Sequence, residues 1–163
     1  MIDIHAHILW DVDDGPKNMN ETMQLLEQAV NEGITQIIAT SHCFHPQYHV
    51  DYETINNQLQ LLQNQLMKNN IPLTLHTGHE VRLSDNIIPL YKAKQIHTLA
   101  NSNYILLELP SHTVPYYSIN IIRELLTEGL VPIIVHPERN KAIAERPILL
   151  ERLIREGAMA QIT

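Results

Sequence analysis

Residues 2–7 read Ile-Asp-Ile-His-Ala-His, and residues 11–15 follow as Asp-Val-Asp-Asp-Gly. Ile2 and Ile4 alternate with Asp3 and His5 as in a strand buried on one face, and the apolar run stops at a His-x-His pair that no core requires. Residues two apart on a strand point to the same side. His5 and His7 therefore present two imidazoles to one ion, provided the backbone stays extended to position 7. A lone His-x-His is a weak signal, because histidines also sit satisfied in cores and on surfaces. Its weight comes from repetition at the ends of the later strands.

The chain has 163 residues, 44% of them hydrophobic, enough for one core and one domain over 1–163. A formal charge of -7, with eleven Lys and Arg scattered without a run, argues against a nucleic-acid binder working through a basic face. One cysteine excludes an internal disulfide framework. With no leader-like start and no apolar run of about 18 residues, the expected location is the cytoplasm, without direct membrane insertion.

Outward from the first strand, apolar runs alternate with amphipathic helices. Asn18 and Glu21 have capping-box spacing, and Met23, Leu26 and Val30 recur at helical intervals up to Gly33, which predicts a helix over 19–32. A second strand runs through TQIIATSH to His42, and a helix follows with Ile55, Leu59, Leu62 and Leu66 on one face. PLTLHTGHE is a third strand ending at Glu80, and Ser84 is expected to cap the next helix, through Ile88 and Tyr91. YILLEL is a fourth strand carrying Glu108. PYYSINIIRELLTEG is a helix with Pro115 near its first turn, and VPIIVHPER is a fifth strand reaching His136. A helix over about 147–156 precedes a sixth strand at AQIT.

Strand then helix, repeated with short connections, reads as an α/β fold with a parallel sheet. Polar groups stand at the C-terminal ends of the first five strands, where parallel barrels gather their active sites. An open doubly wound sheet, the alternative, would usually carry a Gly-rich phosphate turn after its first strand, and neither that turn nor a P-loop is present. A TIM-like barrel is therefore expected.

Seven groups then share one rim: His5, His7, Asp14, His42, Glu80, Glu108 and His136. Four imidazoles and three carboxylates exceed the needs of one ion, and a carboxylate bridging ions about 3.5–4 Å apart is the usual way to fill a multinuclear site. Two or three divalent ions are implied. Nitrogen and oxygen donors without thiolate suit manganese, iron or zinc. For single residues there is a blander reading, an arginine partner for Glu108 or a turn cap for His42.

MIDIHAHILWDVDDGPK, ATSH, TGHE, LLELP, VHPERN and the closing QIT resemble the polymerase-and-histidinol-phosphatase (PHP) superfamily. Within it they resemble the manganese-dependent protein-tyrosine phosphatases of bacterial capsule and exopolysaccharide operons. The resemblance covers the whole chain. It implies a distorted seven-stranded (β/α) barrel, about six strands of it in this sequence, and three metal ions, Mn2+ first and Fe or Zn next. It implies metal roles for the seven residues above and a phosphate-binding role for Arg139. It also implies a phosphotyrosine substrate, the tyrosine-rich, autophosphorylated tail of a bacterial tyrosine kinase that controls polysaccharide export. The family's last strand carries a Ser-Asp-Ala-His type motif that this sequence does not reach. On that pattern the domain is expected to be C-terminally incomplete, short of metal ligands and prone to homo-oligomerise through open sheet edges.

Metal ions lower the pKa of bound water toward neutrality, so hydroxide attacks phosphorus without a covalent enzyme intermediate. Arg139 then adds a bidentate contact to the phosphoryl oxygens, its other option being an ion pair with Glu138. A cysteine-dependent mechanism needs H-C-x-x-x-x-x-R, and position 49 after His42-Cys43 is His. Cys43 is therefore a bystander. The other readings are a small-molecule phosphatase of histidinol-phosphatase type or a phosphodiesterase on the same metals, and an inactive metal-binding regulatory module.

Overall fold

The computed structural model describes residues 1–163. Six strands, β1 (Ile2–Ala6), β2 (Gln36–Cys43), β3 (Thr74–Arg82), β4 (Tyr104–Glu108), β5 (Val131–Val135) and β6 (Met159–Gln161), alternate with helices. The helices are α1 (Met19–Asn31), α2 (Tyr52–Lys68), α3 (Ile87–Lys92), α4 (Ser118–Thr127), α5 (Lys141–Glu145) and α6 (Ile148–Arg155). The strand order is β1-β2-β3-β4-β5-β6. Such an order never reverses, so the sheet has no topological switch point and follows the succession of a TIM-like barrel wall, not of a doubly wound sheet. No helix is long and apolar enough to cross a membrane.

The chain divides into two compact units, Met1–His79 with Leu99–Asn101, and Glu80–Thr98 with Ser102–Thr163. In the first, β1 pairs parallel with β2, with a register shift between Asp3 and Ala6, where the Thr40 hydroxyl accepts the Ala6 N–H at 3.0 Å. The backbone therefore leaves the strand at Ala6, one residue short of the expected extension to His7. Asn18 caps α1 by accepting the Glu21 N–H at 3.0 Å, and the Glu21 carboxylate accepts the Lys17 N–H at 2.8 Å, a capping box displaced by one residue. Asp51 caps α2 through the Thr54 N–H at 2.7 Å. Ile55, Leu59, Leu62 and Leu66 of α2 form the predicted apolar face and pack with Leu26 and Ala29 of α1, Ile37 and Ala39 of β2, and Ile8 and Leu9. Each fully buried Leu or Ile among them contributes about 1.5–3 kcal/mol.

In the second unit, the last residues of β3 pair parallel with β4, β4 with β5, and β5 with β6. Ile105, Leu106 and Leu107, then Ile133, Ile134 and Val135, are buried in unbroken runs, as strands covered on both faces require. Ile121, Ile122 and Leu125 of α4 and Leu153 of α6 are buried with them. Gly129, at φ 81°, ends α4 where the sequence predicts.

Four local expectations are corrected. Helix α3 starts at Ile87 after Asn86, so Ser84 is not its cap; Pro89 has no N–H and is tolerated only in a first turn, which holds the start back. Pro115 lies outside α4 and its carbonyl accepts the Ser118 N–H at 3.0 Å, making the turn before the helix. The fifth strand stops at Val135 because His136 turns into the left-handed region and Pro137 cannot donate to a ladder. Residues 141–145 form an unforeseen short helix, capped by Asn140.

Candidate metal centre

The first unit gathers four of the sequence-predicted ligands, His5, His7, Asp14 and His42. His5, in β1, and His7, just past its end, have rings 5.6 Å apart, and the His7 and His42 rings lie 4.7 Å apart. Asp14 reaches both of the latter, with its Oδ1 3.3 Å from His7 Nδ1 and 3.5 Å from His42 Nε2. The loop carrying Asp14 is folded back by an Asp11 N–H to Pro16 carbonyl bond of 2.9 Å. Gly15 makes this possible: a Cβ there would stand 2.9 Å from the His7 carbonyl oxygen and 3.2 Å from that of Leu9.

The neighbouring Asp13, which the sequence reading passed over for Asp14, is the organising residue. Its side chain is fully shielded from solvent, and Oδ2 accepts His7 Nδ1–H at 3.0 Å and the His42 N–H at 3.2 Å. Oδ1 accepts the Gly15 N–H at 3.0 Å. Burial pushes the Asp13 carboxyl up, but the His7 imidazole and the Gly15 and His42 amides outweigh it and hold the group below its usual value. A carboxylate on Nδ1–H fixes the histidine tautomer that carries its lone pair on Nε2, the arrangement common behind metal-binding histidines. The Asp-x-Gly spacing of 13–15 was the available sequence signal.

The donor set of this unit suits a divalent ion. Ligand atoms of His7, Asp14 and His42 all lie within 4.8 Å of one another. With metal–ligand bonds of roughly 2.1 Å, neighbouring ligands of one ion stand about 3 Å apart and opposite ones about 4.2 Å, so the 3.5 Å between Asp14 Oδ1 and His42 Nε2 suits adjacent positions. A cleft of about 430 Å³ lined by His7, Asp14, Gly15, Pro16, Glu21 and Leu25 opens beside them.

The second unit carries Glu80, Glu108, His136 and Arg139. Glu80 is buried, and its Oε1 lies 2.7 Å from His136 Nε2. His136 holds φ 33° and ψ 51°, a left-handed backbone that costs a non-glycine residue of order 1–3 kcal/mol and turns its imidazole toward Glu80. Arg82, absent from the sequence reading, places Nη1 3.1 Å from Glu108 Oε1, so Glu108 does have an arginine partner. Arg82 stands two residues past Glu80, on the same side of β3, and that spacing was its signal. Arg139 is exposed: its Nη2 donates to Thr163 Oγ1 at 3.0 Å, and its Nε is 4.0 Å from Glu138. Cys43 is fully buried, and burial pushes its thiol up to about 12, far from the thiolate a nucleophile needs.

Across residues 1–163 the chain matches the family described as capsular polysaccharide synthesis, CpsB/CapC. It is 47% identical to the putative tyrosine-protein phosphatase CapC of Staphylococcus aureus, over all of this chain and 64% of that protein. It is 37% identical to the tyrosine-protein phosphatase YwqE of Bacillus subtilis, again over all of this chain and 64% of the relative. Streptococcus agalactiae CpsB, also named a tyrosine-protein phosphatase, is 30% identical over 99% of this chain and 67% of its own. A solved structure from a study of B. subtilis YwqE and Streptococcus pneumoniae CpsB, described as metal-dependent tyrosine phosphatases, superposes with a TM-score of 0.96 at 36% identity. That match covers 99% of this chain and 66% of the other. The chain thus spans a little under two thirds of the length of the first two relatives.

Proposed function

The chain belongs to the CpsB/CapC family of capsular polysaccharide synthesis, and from that membership we propose that the protein is a metal-dependent, cysteine-independent protein-tyrosine phosphatase. The observation that carries the reading is the His7, Asp14 and His42 cluster, within 4.8 Å, in a chain 30–47% identical to tyrosine-protein phosphatases. We assign metal roles to His5, His7, Asp14 and His42 of the first unit and to Glu80, Glu108 and His136 of the second, in a domain of the PHP type. Three divalent ions are proposed, manganese first. The substrate we assign is the phosphorylated tail of a tyrosine kinase acting in polysaccharide export in the cytoplasm.

Bound divalent ions supply charge neutralisation and an activated water for attack on phosphorus. The chain's own residues do the remaining work. Asp13 holds His7 in one orientation and tautomer, so the ligand side chain is set before anything binds. Arg139, exposed and tied only to Thr163 and distantly to Glu138, swings to the phosphoryl oxygens and opposes their charge as the P–O bond breaks. The buried thiol of Cys43 takes no part.

A substrate panel tests the proposal. The purified protein, stripped with chelator and reloaded with manganese, should hydrolyse a phosphotyrosine peptide only in the reloaded state, and faster than histidinol phosphate or an aryl phosphodiester. Preference for either of the last two would replace the tyrosine-phosphatase reading.

A further inference from the structure

A second cavity of about 520 Å³ lies in the Glu80–Thr98 and Ser102–Thr163 unit. His112, Thr113 and Val114, from the segment after β4, form one wall; Lys141, Glu145 and Arg146, from α5 and its end, form the other. The walls are stapled by Asn140, a buried polar side chain with every group used. Its Nδ2 donates to the carbonyls of Pro110 at 2.6 Å and Thr113 at 2.9 Å, and its Oδ1 accepts the Ile143 N–H at 2.9 Å. The Lys141 N–H adds a 2.8 Å bond to the Ser111 carbonyl. The cavity is thus set in shape before any ligand arrives.

Its charge runs against that of the chain. Arg82, Lys92, Arg123 and Arg155 each lie against a carboxylate. Lys141 and Arg146 make no ion pair, although Glu145 lies between them in sequence and lines the same cavity. Two unpaired cations and an imidazole against one carboxylate, in a half-apolar cavity also lined by Val114 and Leu149, favour an anion. The cavity also lies close to the candidate ligands along the chain. His112 is four residues past Glu108 and Lys141 five past His136. An extended chain covers about 3.5 Å per residue, so each wall begins within roughly 18 Å of a candidate metal ligand.

We infer that this cavity docks an anionic side chain of the protein substrate, a carboxylate or a second phosphoryl group, within about five residues of the phosphotyrosine. The inference rests on the phosphatase reading for its substrate class, but the binding can be measured without turnover.

Three fluorescent peptides decide it, each with one phosphotyrosine: one with neutral flanks, one with glutamates four and five residues away, and one with a second phosphotyrosine there. Anisotropy titrations should give an acidic-flank peptide about tenfold tighter binding than the neutral one, the scale of one or two charge-assisted hydrogen bonds. Preference for the glutamate peptide assigns a carboxylate; preference confined to the doubly phosphorylated peptide assigns a phosphoryl group. The Lys141→Glu/Arg146→Glu protein should lose that preference, and Lys141→Gln/Arg146→Gln should lose part of it. Salt at about 0.5 M should remove it in the unaltered protein, a check that needs no variant. Equal binding of all three peptides by the unaltered protein, or a preference that survives charge reversal, would overturn the inference. If the preference depends on Lys141 and Arg146 while manganese-loaded protein hydrolyses none of the peptides, the docking cavity stands and the phosphatase reading falls.

Discussion

Asp13 Oδ2 accepts the Nδ1–H of His7 at 3.0 Å from a position wholly shielded from water. The same carboxylate takes the amides of His42 and Gly15, so one buried group ties the end of β1, the end of β2 and the Asp11–Pro16 loop together. Removing it should therefore damage both stability and metal binding. Asp13→Ala should cost about 1–3 kcal/mol in urea unfolding, because buried donors lose their acceptor. Manganese affinity by calorimetry should fall about 10–100-fold, the usual effect of losing the partner behind a ligand histidine. Unchanged metal affinity would show that Asp13 supports only the loop.

Arg139 should matter for turnover and not for metal content. Its side chain is exposed and bonds to Thr163 and Glu138, not to the candidate ligands of the second unit. Arg139→Ala should lower kcat roughly a hundredfold, the scale of one lost oxyanion donor, with metal content by elemental analysis unaltered. An unaltered kcat would leave Arg139 its bonds to Thr163 and Glu138 as its whole role.

Cys43 offers the converse test. Its buried thiol, raised to about 12, holds no thiolate at neutral pH. Cys43→Ser, loaded with manganese, should hydrolyse a phosphotyrosine peptide within about a factor of two of the unaltered protein, since the nucleophile is not a thiolate. Abolished hydrolysis with metals retained would sink the metal mechanism.

A pH-dependent prediction follows from the cap of α2. The Thr54 N–H holds the Asp51 carboxyl below its ordinary value. A carboxyl depressed on folding stabilises the folded state above its unfolded pKa, and that contribution disappears as pH falls through the folded value. Asp51→Ala should cost about 1 kcal/mol at neutral pH, and the gap between the two stabilities should begin to narrow as pH falls below about 4. A gap that does not narrow at all on acidification would show that something other than the ionised cap is lost.

The strand–helix alternation and the apolar face of α2 were legible because each depends on residues close in sequence, whose spacing matches one backbone period. So was the cap at Asn18, three residues from its partner. The candidate ligands were legible for a related reason: a strand brings its last polar residue to the end of the apolar run, whatever lies around it. What packing decides was not legible. Choosing Asp13 over Asp14 as the carboxylate behind His7 depends on a loop folding back until Gly15 touches the His7 carbonyl, and two adjacent aspartates look alike in a string of letters. Arg82 meets Glu108 only because β3 and β4 pair in the register that sets those two residues side by side. Asn140 reads as one more polar loop residue until its amide reaches two carbonyls some thirty positions away. Local periodicity is a property of the chain by itself, whereas hydrogen bonds and ion pairs between distant residues exist only once burial has fixed which backbones lie within 3 Å of one another.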